Sequence, residues 1–451
     1  MDLERISKKS VHKVLEEGAK EVESYLVRVR SLTAYIDDDR VKNLEEKLDQ
    51  GISVRVLLNG KMGQSSSTFH TTRDLEECGA KAVALAKLSR PDPYFKRFPG
   101  FSQPAGFVDV RQEDAASATT GYLKEKVEEI VRAAGEEVKV PRGLLRVALV
   151  ERALANSNGA TFRELGTMAY AHFTSMTKGP EPGEGCDCYY SSGLSGLDTQ
   201  AMGDRLRQKA RNAQGAEHFK GKMTGSVILP PDELAEMLLA SVGYSLDGEN
   251  ALRHRSPWAE LVNKEVGNEL VNLRDQPWDP RSALSGRYDD EGTPTREKPL
   301  VERGVLRTLL YDSYHAQMGK AAATGNYIRR DPSDALNLYR RGGATMPVNL
   351  AWKPGTQSVE DMISDVKEGV IVEKLAAPDV NSVTGGFALE VRCAKLIRDG
   401  SVVGHVDQCL LVGNFYQALK RVGAVGNDVA VHRNCIIPSV RFDGLDIVGS
   451  E

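Results

Sequence analysis

The chain has 451 residues, a formal net charge of −4 and a pI near 6.2, so it offers no basic field for nucleic acid. Hydrophobic residues make up 41% and charged residues 27%, which is ordinary for a globular protein in water. The start lacks the apolar core of a secretory signal, and no apolar run approaches the roughly 20 residues that span a bilayer. Together with six scattered cysteines, these features predict a cytoplasmic protein with reduced thiols.

The first part of the chain alternates helix and strand patterns. Apolar residues at near-helical spacing predict an amphipathic helix in the first 20 residues. A strand pattern ending at Leu58 meets Asn59-Gly60, which suits the positive φ angles of a type I′ hairpin turn. Thr72 is expected to cap a second helix, and the Pro-rich stretch 90–104 resembles a linker.

A second segment repeats this alternation. Its patterns predict a helix over 120–134 and two long strands over 144–155 and 161–176. The polar, Gly-rich stretch 178–196 is expected to be a mobile surface loop, after which Asp198 caps another helix. Beyond that helix the strand patterns dominate.

These patterns predict an α+β fold. The N-terminal α/β region would consist of antiparallel meanders with flanking helices, and a larger, mainly-β domain would follow. We expect three units: an α+β subdomain over 1–104, a second α+β subdomain over 105–220, and the mainly-β C-terminal domain over 221–451.

The run Asp289-Asp290-Glu291 is the densest group of carboxylates near a turn signal. Oxygen ligands suit Mg²⁺ or Ca²⁺, but the run lacks the alternating spacing of an EF-hand loop. If 288–291 is a strand, Asp289 and Glu291 share one face. The favoured interpretation is a strand end and turn, in which the carboxylates accept hydrogen bonds from nearby backbone N–H groups.

A zinc site is the second hypothesis. Cys186-x-Cys188 is too tightly spaced for the usual knuckle, and no matching pair follows. His405 and Cys409, with His432 and Cys435, are the other candidates, but cysteines in such apolar surroundings are more often buried core residues.

Two other kinds of site find no support. There is no G-x-S-x-G elbow for a nucleophilic serine. Neither a Walker-type phosphate loop nor a strand-linked G-x-G-x-x-G occurs. Nothing in the sequence favours nucleotide binding.

Several short motifs resemble, in order, those of the TldD/PmbA family, known as modulators of DNA gyrase and as metallopeptidases. The resemblance extends over nearly the whole chain, from Gln50-Gly51-Ile52 to Val448-Gly449. The motifs that carry it, and that are candidates for lining a peptide cavity, contain Asp289, Asp290, Glu291, Gly292, Thr293, Gly325, Asn326, Asn349, Gly385, Gly386 and Phe387.

The family resemblance implies two branches with different chemistry. In the TldD branch a helix carries H-E-x-x-x-H, whose histidines bind a metal together with a cysteine near the C-terminus, and whose glutamate acts as general base. The corresponding helix here should span 231–246, and that stretch contains no histidine. Cys435 does not match the context of the family's metal cysteine.

The chain therefore resembles the PmbA, or TldE, branch. This implies a subunit without catalytic or metal-binding residues, which pairs with a TldD-like H-E-x-x-x-H chain and encloses a peptide substrate. The metal, zinc, is expected on that partner, no cofactor is expected on this chain, and a homodimer is expected when the partner is absent. The alternatives are an independent peptide-processing enzyme with a non-standard Cys/His metal site, and a gyrase-interacting regulatory protein.

Overall fold

A computed structural model describes residues 2–450. The N-terminal part contains one layer of long antiparallel strands and a layer of helices. Its helices are α1 (Leu3–Glu16), α2 (Thr72–Leu88), α3 (Glu113–Ala116), α4 (Thr120–Ala134) and α5 (Thr199–Gln214). Its strands are β1 (Glu21–Asp37), β2 (Arg40–Leu58), β3 (Lys61–Thr68), β4 (Val138–Asn156), β5 (Thr161–Thr177) and β6 (Glu184–Ser191).

The six strands form one antiparallel sheet in the order β3-β2-β1-β4-β5-β6. Because side chains alternate along a strand, β1 contributes to two different cores. Val22 and Leu26 point towards α1 and α2, whereas Tyr25 and Val27 point to the opposite face. The helices cover the first face, and the C-terminal part of the chain packs on the second.

The predicted hairpin turn at Asn59-Gly60 and the predicted cap at Asp198 are confirmed, whereas the predicted cap at Thr72 is wrong by one residue. Asn59 and Gly60 have φ angles of 53° and 76° and join β2 to β3. Helix α2 begins at Thr72, and its N-cap is Thr71, because Thr71 and Asp74 form a reciprocal capping box.

The predicted loop over 178–196 is wrong in its central part. Residues Glu184–Ser191 form β6, the last strand of the sheet, paired in register with β5 from Ala169 to Met176. The stretch lacks a strand pattern of its own, and pairing with an existing strand supplies its hydrogen bonds instead.

The C-terminal part is mainly β, as predicted. Its helices are α6 (Pro231–Leu238), α7 (Tyr244–Leu246), α8 (Gly248–Leu252), α9 (Ser313–Gly319), α10 (Val359–Ser364) and α11 (Phe415–Ala418). Its strands are β7 (Glu217–His218), β8 (Lys222–Leu229), β9 (Leu273–Asp275), β10 (Lys298–Glu302), β11 (Val305–Leu306), β12 (Tyr327–Ile328), β13 (Ala344–Thr345), β14 (Leu350–Trp352), β15 (Glu368–Leu375), β16 (Gly386–Arg398), β17 (Ser401–Asp407), β18 (Cys409–Asn414), β19 (Val422–Val425), β20 (Ala430–His432), β21 (Cys435–Ile437) and β22 (Val440–Val448).

Five of these strands close into a small barrel. The path β15-β8-β22-β18-β16 returns to its start because β15 also pairs with β16. Closure removes open strand edges within the barrel. A second sheet, β11-β10-β9-β14-β21-β20, lies beside the barrel, and the two share the largest apolar core, which contains Trp352 and Phe442.

The α+β fold class is confirmed, with a helix-covered antiparallel sheet followed by the larger, mainly-β part. The boundary predicted at 104 falls in the connection between α2 and α3, and strands from both sides of it belong to the same sheet. Residues 1–104 and 105–220 thus contribute strands to one sheet, and the division of the chain into three units stays a prediction. None of the described helices is long and apolar enough to cross a membrane.

Candidate functional site

The acidic run forms a tight, fully buried loop between the N-terminal sheet and the C-terminal part. Asp289 donates its backbone N–H to the Thr293 carbonyl at 2.9 Å, and Gly292 adopts a φ of 84°, which glycine accommodates without strain. None of the three carboxylate residues is more than 1% exposed. Each must therefore find all its partners inside the protein.

Asp289 is held by backbone groups. Its carboxylate accepts N–H donors from Glu291 at 3.1 Å, Thr293 at 2.8 Å and Tyr327 at 3.2 Å. This confirms the predicted turn with N–H donors to the acidic run. Burial, and the neighbouring Glu291 carboxylate, nevertheless raise the pKa of Asp289 well above its ordinary value.

Asp290 connects the two parts of the chain through buried charges. It accepts hydrogen bonds from the Tyr25 hydroxyl at 3.1 Å, the Arg330 Nε at 3.2 Å and the Arg329 backbone N–H at 2.7 Å, and it pairs with Arg152. Burial alone would raise its pKa, but the guanidinium groups of Arg330 and Arg152 outweigh burial and lower the pKa well below its ordinary value.

Glu291 belongs to a second group of charges. It accepts the Ser313 hydroxyl at 2.8 Å and lies 3.4 Å from Arg55, which also binds Glu23 through two hydrogen bonds of 2.8 and 2.7 Å. The Arg329 guanidinium lies 3.5 Å from Glu23 without hydrogen-bond geometry and stacks over the Tyr25 ring at 4.7 Å. Burial raises the pKa of Glu291 to about 7.

These contacts assign a structural role to the acidic run. Tyr25, Arg55 and Arg152 come from β1, β2 and β4, whereas the carboxylates come from the C-terminal part. Among residues 2–450, the run is not part of any group of three His, Cys or carboxylate ligand atoms compact enough for one metal ion. The run therefore joins the two parts of the chain through buried hydrogen bonds and ion pairs.

The other motif residues also occupy tight positions. Gly325 has a φ of 76°, and a Cβ there would lie 2.3 Å from the Pro294 carbonyl oxygen. Asn326 donates its amide to Asp275 at 2.8 Å, and Asn349 donates to the Gln276 carbonyl at 2.6 Å.

Three further motif residues lie at the start of β16. Gly385 has a φ of 77°, Gly386 begins the strand, and Phe387 is a core residue. Thr293 lines a shallow cavity of about 250 Å³ beside Phe98. Whether the motif residues line a peptide cavity stays a prediction.

Residues 231–246 form one helical rod, as expected for the helix that would carry a metal-binding motif. It consists of α6, a single π-helical turn over Leu239–Gly243, and α7. Such π turns are rare and often mark functional positions. The Ser241 hydroxyl donates to the Met237 carbonyl, and the Ser245 hydroxyl lies 2.8 Å from the Tyr416 hydroxyl. The rod contains no histidine, and these two hydroxyls are engaged within it or with Tyr416.

The four zinc candidates are not brought together. His405 lies on β17 and Cys409 on β18, two strands that both pair with β16 and not with each other, and burial raises the pKa of Cys409 to about 11. His432 faces Glu236 at 3.4 Å, whereas the Cys435 sulfur is fully buried 4.0 Å from the Ala235 carbonyl. Burial also raises the pKa of Cys435, which disfavours a thiolate ligand there.

A cluster that was not predicted contains Cys186 and Cys188, the pair set aside above as too tightly spaced for a zinc knuckle. Within residues 2–450, His172, Cys186 and Cys188 form a group of three metal-type ligands, with all ligand atoms within 4.8 Å of one another. The His172 Nε2 lies 3.3 Å from the Cys186 sulfur. The cluster could be predicted only from the pairing of β5 with β6, which places His172 opposite Cys188.

Two cavities lie near these groups. One of about 280 Å³ separates the N-terminal sheet from the C-terminal part and is lined by Arg152, Glu164 and Arg287. The other, about 690 Å³, lies between β6 and the barrel and is lined by Cys186, Lys374, Glu390, Arg392 and Cys409 among others. The larger cavity therefore combines a strand edge with charged side chains of both signs.

Comparisons with known proteins give a consistent result. Residues 220–449 match the family model of the PmbA/TldA metallopeptidase C-terminal domain, and residues 22–86 match the model of its domain 1. The chain is 24% identical over 449 residues to an uncharacterized protein of Methanocaldococcus jannaschii, covering 98% of this chain and 99% of that protein. It is 24% identical over 204 residues to a zinc metalloprotease TldD homolog of Saccharolobus solfataricus, covering 45% of this chain and 44% of that protein.

The fold is shared with solved structures. The crystal structure of TldE from Thermococcus kodakarensis superposes with a TM-score of 0.90 at 24% identity, covering 98% of this chain and all of that one. The fold is thus of the type adopted by this group of metallopeptidase-related proteins. The C-terminal match spans just over half of the sequence, and the chain belongs to the PmbA/TldD metallopeptidase family.

Proposed function

We propose that this chain is the TldE/PmbA-like subunit of a TldD/TldE metalloprotease complex that cleaves unfolded or small peptides, and that it contributes no hydrolytic metal. The observation that carries the proposal is the rod over 231–246, which has the form expected of a metal-binding helix but contains no histidine. The sharing of a fold with TldE of Thermococcus kodakarensis supports the choice of branch.

Several polar groups of the rod are engaged within the protein, which supports this proposal. Glu236 is engaged by His432 at 3.4 Å and Arg433 at 3.0 Å, and Glu233 lies 3.3 Å from Lys374. The hydroxyls of Ser245 and Tyr416 lie 2.8 Å apart. A hydrolytic metal lowers the pKa of its bound water from 15.7 to about 7 and requires an open coordination site.

The proposed contribution of this chain is to hold peptide. Extended peptides bind to strand edges through main-chain hydrogen bonds, with alternate side chains pointing into pockets. Strand β6 is the end strand of its sheet and borders the cavity of about 690 Å³. The charged residues Lys374, Glu390 and Arg392 line that cavity and would suit polar, unfolded segments better than apolar ones.

In this proposal the catalytic zinc resides on a TldD-like partner that carries H-E-x-x-x-H, and this chain forms a homodimer when the partner is absent. The name of the Saccharolobus solfataricus relative supports zinc as the family's metal. The complex would act in the cytoplasm, a location supported by six cysteines that are all free.

The test is reconstitution with the TldD-type chain of the same organism. We expect the mixture to give a complex of defined stoichiometry in light scattering, together with cleavage of an unfolded peptide that a chelator abolishes. A chain that cleaves the peptide alone, with the same sensitivity to chelator, would overturn the proposal. A mixture that shows neither association nor any gain in cleavage would also overturn it.

A further inference from the structure

The group of His172, Cys186 and Cys188 is built by strand geometry. Cys186 and Cys188 are two residues apart on β6, so their side chains share a face. His172 on β5 is the register partner of Cys188 and points to that same face. The intervening Asp187 faces the other way, where it is buried and pairs with Arg205 at 2.9 Å.

The distances suit one small metal ion. Zinc binds cysteine sulfur at about 2.3 Å and histidine nitrogen at about 2.0–2.1 Å, so tetrahedral geometry places two sulfurs about 3.8 Å apart and a sulfur and a nitrogen about 3.6 Å apart. The His172 Nε2 and the Cys186 sulfur are 3.3 Å apart, and all three ligand atoms lie within 4.8 Å of one another. Small rotamer adjustments would bring all three onto a single ion.

A disulfide is the less suitable use of the two cysteines. Residues i and i+2 of a strand have Cα atoms about 6.6–6.8 Å apart, at the upper limit for a disulfide. Their β6 backbone is also fixed by eight register pairs with β5, which opposes the bending that a relaxed disulfide would need.

We propose that His172, Cys186 and Cys188 bind one zinc ion through two sulfurs and one nitrogen, with a fourth position open to the cavity between β6 and the barrel. Soft sulfur and imidazole ligands select zinc over Mg²⁺ or Ca²⁺. The open position follows from the place of Cys186 in the lining of that cavity. This site lies on the N-terminal sheet, outside the 231–246 rod, and it replaces the expectation that the chain carries no metal.

The proposal is tested on the isolated, reduced full-length chain, without any partner or peptide. Zinc content after dialysis is measured by mass spectrometry, and Co²⁺ titration reports sulfur ligands through their charge-transfer absorption. We expect one equivalent of zinc and a sulfur-to-cobalt band in the wild-type chain. Cys186→Ser and Cys188→Ser should each weaken binding by more than about 100-fold.

The matched control is Cys393→Ser. Cys393 is a buried cysteine outside the cluster, and its thiol donates to Glu373 at 3.3 Å, a bond that a serine hydroxyl can keep. The control should retain one equivalent of zinc, and circular dichroism should show that all variants are folded. Absence of zinc and of the cobalt band in the wild type would overturn the site, as would a Cys186–Cys188 disulfide in the chain purified without reductant.

Binding that survives both cluster variants would overturn the site as well. Because no outcome depends on peptide cleavage, failure of the zinc site leaves the subunit proposal untouched. Failure of reconstitution with a TldD-type chain leaves the zinc site equally untouched.

Discussion

Replacing Asp290 by asparagine should loosen the junction between the N-terminal sheet and the C-terminal part. The buried carboxylate neutralises Arg152 and Arg330, and both guanidinium groups stay buried when the charge is removed. Removal of one partner from a buried ion pair costs about 3–5 kcal/mol, because the remaining charge is left uncompensated. That cost is a large fraction of the roughly 5–15 kcal/mol that stabilise a typical domain.

The assay is urea unfolding of Asp290→Asn, followed by both fluorescence and circular dichroism. With a denaturant slope of about 3 kcal/mol per molar urea, the loss corresponds to a midpoint lower by about 1–1.7 M. The matched control is Asp379→Asn at an exposed position, where the midpoint should stay close to that of the wild type. A midpoint of Asp290→Asn equal to that of the control would refute the assignment of this loop as the charged junction.

Two further variants test burial at single positions. Glu291 has a folded-state pKa of about 7, above its ordinary value, so its contribution to stability is complete below pH of about 4.5 and is lost as the pH rises through about 7. Glu291→Gln should therefore reduce the fall in melting temperature between those pH values. An unchanged fall would show that the Glu291 carboxyl group does not cause this pH dependence. Gly63→Ala should cost about 1–3 kcal/mol in urea unfolding, because its Cβ would lie 2.1 Å from the Ala82 carbonyl oxygen and 2.3 Å from the Ala86 nitrogen. Gly121→Ala, within α4, should be neutral or stabilising, because its Cβ would meet only the Thr119 Oγ1 at an ordinary contact distance of 3.8 Å, and equal effects at both glycines would contradict the packing argument.

Local chemistry made much of the fold predictable from sequence. The helix over 120–134 was predicted with the bounds of α4, and Asn59-Gly60 was correctly assigned to a hairpin turn. Caps and hairpin turns depend on interactions between residues a few positions apart, so they can be recognised in a single sequence. Strand β6 was missed because its hydrogen bonds depend on β5 and not on a strand pattern of its own.

The candidate site was predictable only where its contacts are local. The donors Glu291 and Thr293 to Asp289 were expected because they lie within four residues of it in a turn, whereas the donor Tyr327, 38 residues away, was not. The arginines that neutralise Asp290 could not be assigned, since Arg152 precedes it by 138 residues. The cluster of His172 with Cys186 was hidden for the same reason, since its register appears only in the folded sheet.

Peptide cleavage by this chain, by its TldD-type partner and by their mixture tests the central claim most directly. The account predicts no cleavage by this chain alone and chelator-sensitive cleavage by the mixture. It further predicts that cleavage is lost when the H-E-x-x-x-H histidines of the partner are replaced. Cleavage that persists in the mixture after those histidines are replaced would contradict the account, because the hydrolytic site would then lie on this chain.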